Sequence, residues 1–152
     1  MLSGVGNTKG FAMAVPLSPS AKALIDRRNF AHLATLMEDG APHSAPVWIA
    51  REGELITIVT EDGSLKGRNT ARDPRVAISI VDFVDPYEEV QIQGRVIERR
   101  RDAELKAFDA MSRKYVGRDW PYRDAEGPIV LVMEVVKEKY SKQPFEHTLL
   151  AK

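Results

Sequence analysis

The sequence contains no cysteine, so disulfides, thiolate nucleophiles and cysteine metal sites are excluded. This absence fits a reducing cytoplasm, which is where we expect the protein. The sequence also lacks net charge, because 22 basic residues balance 22 acidic ones. Binding to nucleic acid or to a membrane surface usually needs an electrostatic excess, so neither is expected as a partner. A local basic groove remains compatible with this balance.

Long apolar runs are missing as well. No segment approaches the ~18 apolar residues of a transmembrane helix. Residues 1–17 are interrupted by glycine, asparagine and lysine and lack the apolar centre of a signal peptide, so we expect a flexible N-terminal tail. A chain of 152 residues predicts one domain, which we place at residues 18–140, followed by a C-terminal tail at 141–152.

Familiar catalytic motifs are absent too. The three histidines, His32, His43 and His147, share no metal-ligand spacing, so no metal site is predicted. There is no Gly-x-Ser-x-Gly elbow, no phosphate-binding loop and no Gly-x-Gly-x-x-Gly fingerprint. An enzyme of this composition would depend on an organic cofactor.

What the sequence does contain is a series of strand-like segments joined by short turns. Six strands are predicted at residues 30–37, 42–50, 54–60, 75–82, 89–98 and 129–136. Tight turns such as Asp39-Gly40 imply antiparallel pairing. Pro46 predicts an edge or a bulge, and Gly94 predicts a bulge or a close approach by another segment.

Three helices complete the prediction. One spans residues 19–28 and starts at Ser18-Pro19, a short one starts near Ser64, and one spans residues 101–114 before Gly117. The predicted fold is therefore mainly β with a few helices. A closed or split six-stranded antiparallel barrel is the preferred architecture, because it removes most sheet edges.

A basic stretch at residues 63–75 lies in the middle of the chain. Its four cations, Lys66, Arg68, Arg72 and Arg75, accompany one anion, Asp73. Within it, Lys66-Gly-Arg-Asn69 offers fixed charge and amide donors within one helical turn, which suits a phosphate or a carboxylate. The alternative is a solvated connector helix, since charge runs usually face water.

Taken together, these segments resemble one family, the FMN- and F420-binding split β-barrels related to pyridoxamine 5′-phosphate oxidase. The similarity is carried by four blocks: Ala31-His-Leu-Ala-Thr35, Asp39-Gly-Ala-Pro-His-Ser-Ala-Pro-Val-Trp48, Lys66-x-Arg-Asn69 with Arg72-Asp-Pro-Arg-Val76, and Gln93-Gly-Arg-Val96. The third block is most similar to small actinobacterial proteins that use coenzyme F420. The match covers roughly residues 20–140.

The resemblance implies a homodimer with cofactor sites at the subunit interface. It also implies an oxidoreductase that transfers a hydride between coenzyme F420 and a small unsaturated organic substrate. The cofactor-binding residues carried over by position are His43, Ser44, Pro46, Val47, Trp48, Val59, Thr60, Lys66, Arg68 and Asn69. The loop with Trp120 and Tyr122 is a candidate contribution from the other subunit.

Several alternatives stay open at this stage. FMN would place a ring and an anionic tail in the same groove, and a protein that binds F420, flavin or haem without turnover is also compatible. The segment after the last strand lacks the arginine and histidine pattern of the oxidases that make pyridoxal phosphate. No catalytic residue is assigned, and the proton donor is water or a tyrosine such as Tyr122. Trp48 would also suit a plain core position.

Overall fold

The computed structural model describes residues 13–147, which form three helices and one antiparallel sheet. The helices are α1 (Pro19–Asp26), α2 (Leu65–Arg72) and α3 (Lys106–Val116). The strands are β1 (Ala31–Leu36), β2 (Pro42–Val47), β3 (Ala50–Glu52), β4 (Leu55–Glu61), β5 (Arg75–Val81), β6 (Glu88–Arg101) and β7 (Pro128–Lys142). The predicted mainly β class and the antiparallel pairing are confirmed.

The sheet has seven strands rather than the predicted six. Its order is β2-β1-β5-β6-β7-β4-β3. The strand predicted at 42–50 ends at Val47, and a short extra strand, β3, begins at Ala50; β2 pairs with β1, whereas β3 pairs with β4 at the opposite edge. The six-stranded count was therefore wrong, although Pro46 does lie in an edge strand as predicted.

The crossover Trp48-Ile49 joins the two edges of the sheet. Val47 and Ala50 are three Cα steps apart, which spans at most about 11 Å. The sheet must therefore curl until its edges meet at this point. No hydrogen-bonded ladder links β2 to β3 in residues 13–147, so the sheet is curled but not closed.

The core lies inside this curl. β5 alternates strictly between exposed and buried residues, which leaves its second face open to solvent. In contrast, Ile129–Met133 of β7 are all buried, because that half of the sheet is covered on both faces. α1 adds Ala21, Leu24 and Ile25 to the core, and α3 packs on β4.

The helix boundaries follow from their caps. Ser18 and Ser64 accept hydrogen bonds from Ala21 N and Gly67 N, as their predicted capping roles require. The predicted helix 101–114 starts later, at Lys106, since β6 continues through residue 101. Asp102 then caps α3 by accepting hydrogen bonds from two backbone amides of its first turn, at 3.0 Å each.

Residues on both sides of the predicted domain at 18–140 contact or continue the sheet. Val15 N donates a hydrogen bond to Val135 O, and the Leu17 side chain is buried in the core. At the other end β7 continues to Lys142. The rest of the predicted N-terminal tail, residues 1–12, lies outside the described residues, as do residues 148–152.

Candidate functional site

A groove lies beside the crossover, where β2, β4, α2 and α3 meet. It encloses about 190 Å³, and its lining residues are Pro46, Val47, Trp48, Val59, Lys66, Phe108 and Trp120. Six of these are residues that the sequence placed at a cofactor. Lys66 is the only titratable residue that lines this groove in the described part of the chain.

Lys66 reaches the groove from the first turn of α2. Ser64 begins this helix, and its hydroxyl lies 2.8 Å from Thr60 Oγ1 at the end of β4. Thr60 is buried and therefore ties β4 to the helix start instead of lining the groove. The resulting site places an ammonium group among apolar walls, where a bound anion would form a charge-assisted hydrogen bond.

Gly67 allows α2 to lie this close to β4. A Cβ atom at Gly67 would be 2.6 Å from the carbonyl oxygens of both Glu61 and Asp62. No side chain fits at that distance, so the glycine sets how near Lys66 comes to the strand end. The sequence contained this glycine inside the basic motif, but its role depends on backbone that only the fold brings together.

The other two residues predicted from the basic motif occupy different surroundings. Asn69 is buried, and its side-chain amide donates to Thr35 Oγ1 at 3.0 Å while its carbonyl oxygen accepts from Arg72 at 2.8 Å. Arg68 is exposed. Residues two apart on a helix point in different directions, so a ligand that contacts both Lys66 and Arg68 must pass around the first turn.

An arginine on β6 braces the same helix from behind. Arg99 donates to Thr70 Oγ1 at 2.9 Å and to Asp62 Oδ1 at 2.6 Å. These bonds connect α2 and the turn before it to the centre of the sheet. Arg99 was not among the predicted residues, because the sequence does not distinguish an arginine that bonds to a neighbouring helix from one that faces solvent.

His43 and Ser44 lie on β2 but do not line the Lys66 groove. Ser44 is exposed and borders a second groove of about 370 Å³ on the outer face of the sheet, beside His32 and Gln91. A third groove of about 470 Å³ continues along that face past Arg75 and Gln93. Of the predicted residues on β2, Pro46 and Val47 line the Lys66 groove, Ser44 borders the second groove, and His43 lines neither of these two grooves.

The predicted aromatic loop packs against the groove of its own chain. Trp120 meets the Trp48 ring edge-on, with centroids 6.1 Å apart, and it also contacts Phe108 at 5.5 Å. Tyr122 contacts Trp120 at 5.2 Å but is 63% exposed. Phe108 was not among the predicted site residues, because its neighbours in the groove come from distant segments.

Asp109 holds this loop in place. It accepts hydrogen bonds from Trp120 N at 3.0 Å and from Arg123 at 2.6 Å. The Arg123 guanidinium lowers the pKa of the Asp109 carboxyl below its usual range, and the Trp120 amide acts in the same direction. The carboxylate therefore stays charged at neutral pH and keeps Trp120 against the groove.

Seven antiparallel strands, three helices and a groove at the crossover between the sheet edges define the class of this protein. The chain matches the family model of pyridoxamine 5′-phosphate oxidase over residues 17–142, and it belongs to that family. The resemblance stated from the sequence is thereby confirmed. No curated protein matches the chain significantly.

Solved structures agree with this assignment. A protein described as an F420 reductase is 26% identical, with a TM-score of 0.74 over 82% of this chain and 98% of that one. A conserved hypothetical protein from Mycobacterium tuberculosis is 20% identical, with a TM-score of 0.72 over 95% and 98%. A putative pyridoxamine 5′-phosphate oxidase from Listeria innocua is 16% identical, with a TM-score of 0.61 over 78% and 92%. The last two show the fold alone.

None of the three helices between residues 13 and 147 is both long enough and apolar enough to cross a membrane.

Proposed function

We propose that this protein binds coenzyme F420 in the Lys66 groove and transfers a hydride between it and a small unsaturated organic substrate. The observation that carries the proposal is the position of the Lys66 ammonium among the aromatic and aliphatic walls of the groove. The 26% identity to a protein described as an F420 reductase supports the choice of cofactor.

The residues present fit such a cofactor. Trp48, Phe108 and Trp120 offer flat apolar surfaces to a ring, while Lys66 offers a charge to a phosphate or carboxylate. Arg68 on the outer side of α2 would hold more of an anionic tail. Asn69 would support the site indirectly by holding α2 in place, since its side chain is already hydrogen-bonded to Thr35 and Arg72.

The division of chemistry follows from this arrangement. Coenzyme F420, a deazaflavin, would supply the hydride when it is bound. The chain would supply position: Trp48 would hold a flat ring, and hydride transfer needs the two reacting atoms ~3–3.5 Å apart. The described groove contains no carboxyl, imidazole or phenol group in its lining, so water or the exposed Tyr122 would provide the proton.

A binding titration tests the cofactor. The purified protein is titrated separately with F420 and with FMN, and each dissociation constant is measured by fluorescence. Micromolar binding of F420 without binding of FMN supports the proposal. A protein that purifies with the absorbance spectrum of a flavin, or that binds FMN and not F420, would instead be an FMN-dependent oxidase or reductase.

A second candidate is a protein that binds F420, flavin or haem without turnover. It is favoured by the absence of a carboxyl, imidazole or phenol group from the groove lining described above. Reduced F420 is incubated with the protein and a panel of enones and quinones. Oxidation no faster than in buffer, despite binding, would identify this candidate.

We also propose that the protein works as a homodimer. Phe30 and Phe83 lie 6.3 Å apart at the surface, and they are 45% and 74% exposed, while Val84 beside them is 85% exposed. Monomeric proteins rarely leave large apolar patches uncovered. The Lys66 groove, at about 190 Å³, is also smaller than the ~300–1,000 Å³ of typical cofactor sites. A second copy would cover the patch and complete the site.

A further inference from the structure

The indole of Trp48 is held from behind by α3. Its ring stacks on Tyr115, with centroids 5.1 Å apart and planes only 4° from parallel. Trp120 contacts the same indole edge-on, with an interplanar angle of 87°. Two aromatic neighbours at right angles to each other therefore define the plane of Trp48 where it forms a wall of the groove.

The backbone next to Trp48 is anchored by the same helix. Ile49 N donates to Tyr115 Oη at 3.1 Å, and that hydroxyl donates to Asn29 O at 2.5 Å. A buried amide outside the strands needs a partner, and the phenol provides it. Tyr115 thus contacts the crossover twice, through its ring at Trp48 and through its hydroxyl at Ile49.

Lys114 adds a second anchor from the next position on α3. Its ammonium group donates to Ile49 O and to Ile25 O, each at 2.5 Å. Burial lowers the pKa of Lys114 to about 8, while Asp26 acts in the opposite direction. Tying the crossover to the end of α1 in this way limits the movement of Trp48 toward or away from Lys66.

We propose that Tyr115 is a positioning residue that, aided by Lys114, fixes the plane of Trp48 and thereby decides how tightly the groove accepts a flat ring. The part of this inference that concerns a bound ligand ring rests on the proposed function. The part that concerns the position of Trp48 does not. Tyr115 does not line the groove itself. Its effect on a ligand would act entirely through the indole.

The first test reads the position of Trp48 without any cofactor. In a Trp120→Phe background Trp48 is the sole tryptophan, since the sequence has two. Iodide quenching of the Trp48 fluorescence is compared between this background protein and the same protein carrying Tyr115→Phe or Tyr115→Leu. We expect quenching to rise at least twofold in Tyr115→Leu, which lacks the stacked ring, and to stay near the starting value in Tyr115→Phe. Equal quenching in all three would overturn the proposal.

The second test reads the ligand. With Trp120 restored, the dissociation constants of F420 and FMN are measured for the same substitutions and for Val116→Ala, an exposed control on α3. Loss of the stack is expected to weaken binding about tenfold in Tyr115→Leu, with partial or full recovery in Tyr115→Phe. Unchanged affinity in Tyr115→Leu would overturn the link between Trp48 and ligand binding.

A loss of protein stability must be distinguished from a change in the position of Trp48. Thermal unfolding is recorded for every variant, and Lys114→Met replaces Tyr115→Leu if the latter does not fold. Lys114→Met is expected to raise quenching of Trp48 while Val116→Ala does not, and no change in Lys114→Met would count against the proposal. If neither cofactor binds the unsubstituted protein, the proposed function fails, whereas the quenching comparison still decides the role of Tyr115.

Discussion

Asn69 donates its side-chain amide to Thr35 Oγ1 across 3.0 Å, in a fully buried contact between α2 and β1. This bond holds the helix that carries Lys66 against the first strand of the chain. Asn69 is therefore built into the fold, whatever it contributes to a ligand.

Replacing Asn69 with alanine is expected to lower the free energy of unfolding by about 2 kcal/mol, because Thr35 loses a buried partner. Arg68→Ala, one position earlier and exposed, should change it by less than about 0.5 kcal/mol. Urea denaturation measures both. Equal stability of the two variants would show that the buried bond contributes little.

Lys66→Ala is expected to weaken cofactor binding about tenfold or more without changing the melting temperature, since Lys66 contributes charge to the groove. Lys106→Ala is the matched control, because that lysine is exposed and pairs with Glu104. Titration with F420 measures the effect. If Lys66→Ala binds F420 as tightly as the control does, Lys66 does not belong to the site.

Gly67→Ala sets two effects against each other. Alanine favours a helix over glycine by about 1 kcal/mol, but a Cβ atom here would lie 2.6 Å from two backbone carbonyl oxygens. Overpacking of this kind costs about 1–3 kcal/mol, so we expect net destabilisation together with weaker cofactor binding.

Gly63→Ala is the control for this substitution, because a Cβ atom at Gly63 would meet nothing within 4 Å. Its stability should be unchanged or slightly higher. Denaturation curves of the two variants give the comparison. A Gly67→Ala protein more stable than Gly63→Ala would show that the turn before α2 adjusts without cost.

The Asp73–Arg75 pair should make the stability of the protein depend on pH. Hydrogen bonds from the Arg75 side chain and backbone lower its pKa from 3.8 to about 2. The Asp73 carboxyl therefore binds a proton less readily in the folded protein than in the unfolded chain. The stabilisation from the Asp73–Arg75 pair is complete above pH 3.8 and is lost as the pH falls toward 2.

Asp73→Asn should lower the unfolding free energy by up to about 1 kcal/mol at neutral pH, a value that allows for solvent screening of a surface pair. Below the unfolded pKa the difference from the original protein should shrink. Denaturation at several pH values measures it, with Asp124→Asn on the exposed loop as control. A difference that grows in acid would contradict the sign.

Phe83→Glu tests the proposed dimer. A carboxylate at the centre of the exposed aromatic patch should prevent a second copy from covering it. Analytical ultracentrifugation is expected to show a dimer for the original protein and a monomer for the variant. Ile97→Glu, at an exposed apolar position on β6, should leave the dimer intact. A monomeric original protein would rule the proposal out.

The sequence by itself determined most of the secondary structure. Alternating apolar residues, Asp39-Gly40 and the two capping serines depend on interactions within a few residues, so they can be read from local order. Gly94 was also predicted correctly: the ladder between β6 and β7 shifts there, and a Cβ atom would approach Glu134 O to 2.4 Å. Local order also showed that the motif around Lys66 could hold an anion, but its assignment to a cofactor came from the family resemblance.

Only the tertiary structure decided which of these segments meet. The predicted strand at 42–50 is interrupted after Val47, because residues 42–47 pair with β1 whereas Ala50 already belongs to β3, which pairs with β4 at the opposite edge of the sheet. Trp48 and Tyr115 are 67 positions apart, and no local period reveals that their rings stack. Side-chain periodicity determines which face of an element is apolar, but the partner of that face depends on the folding of the whole chain.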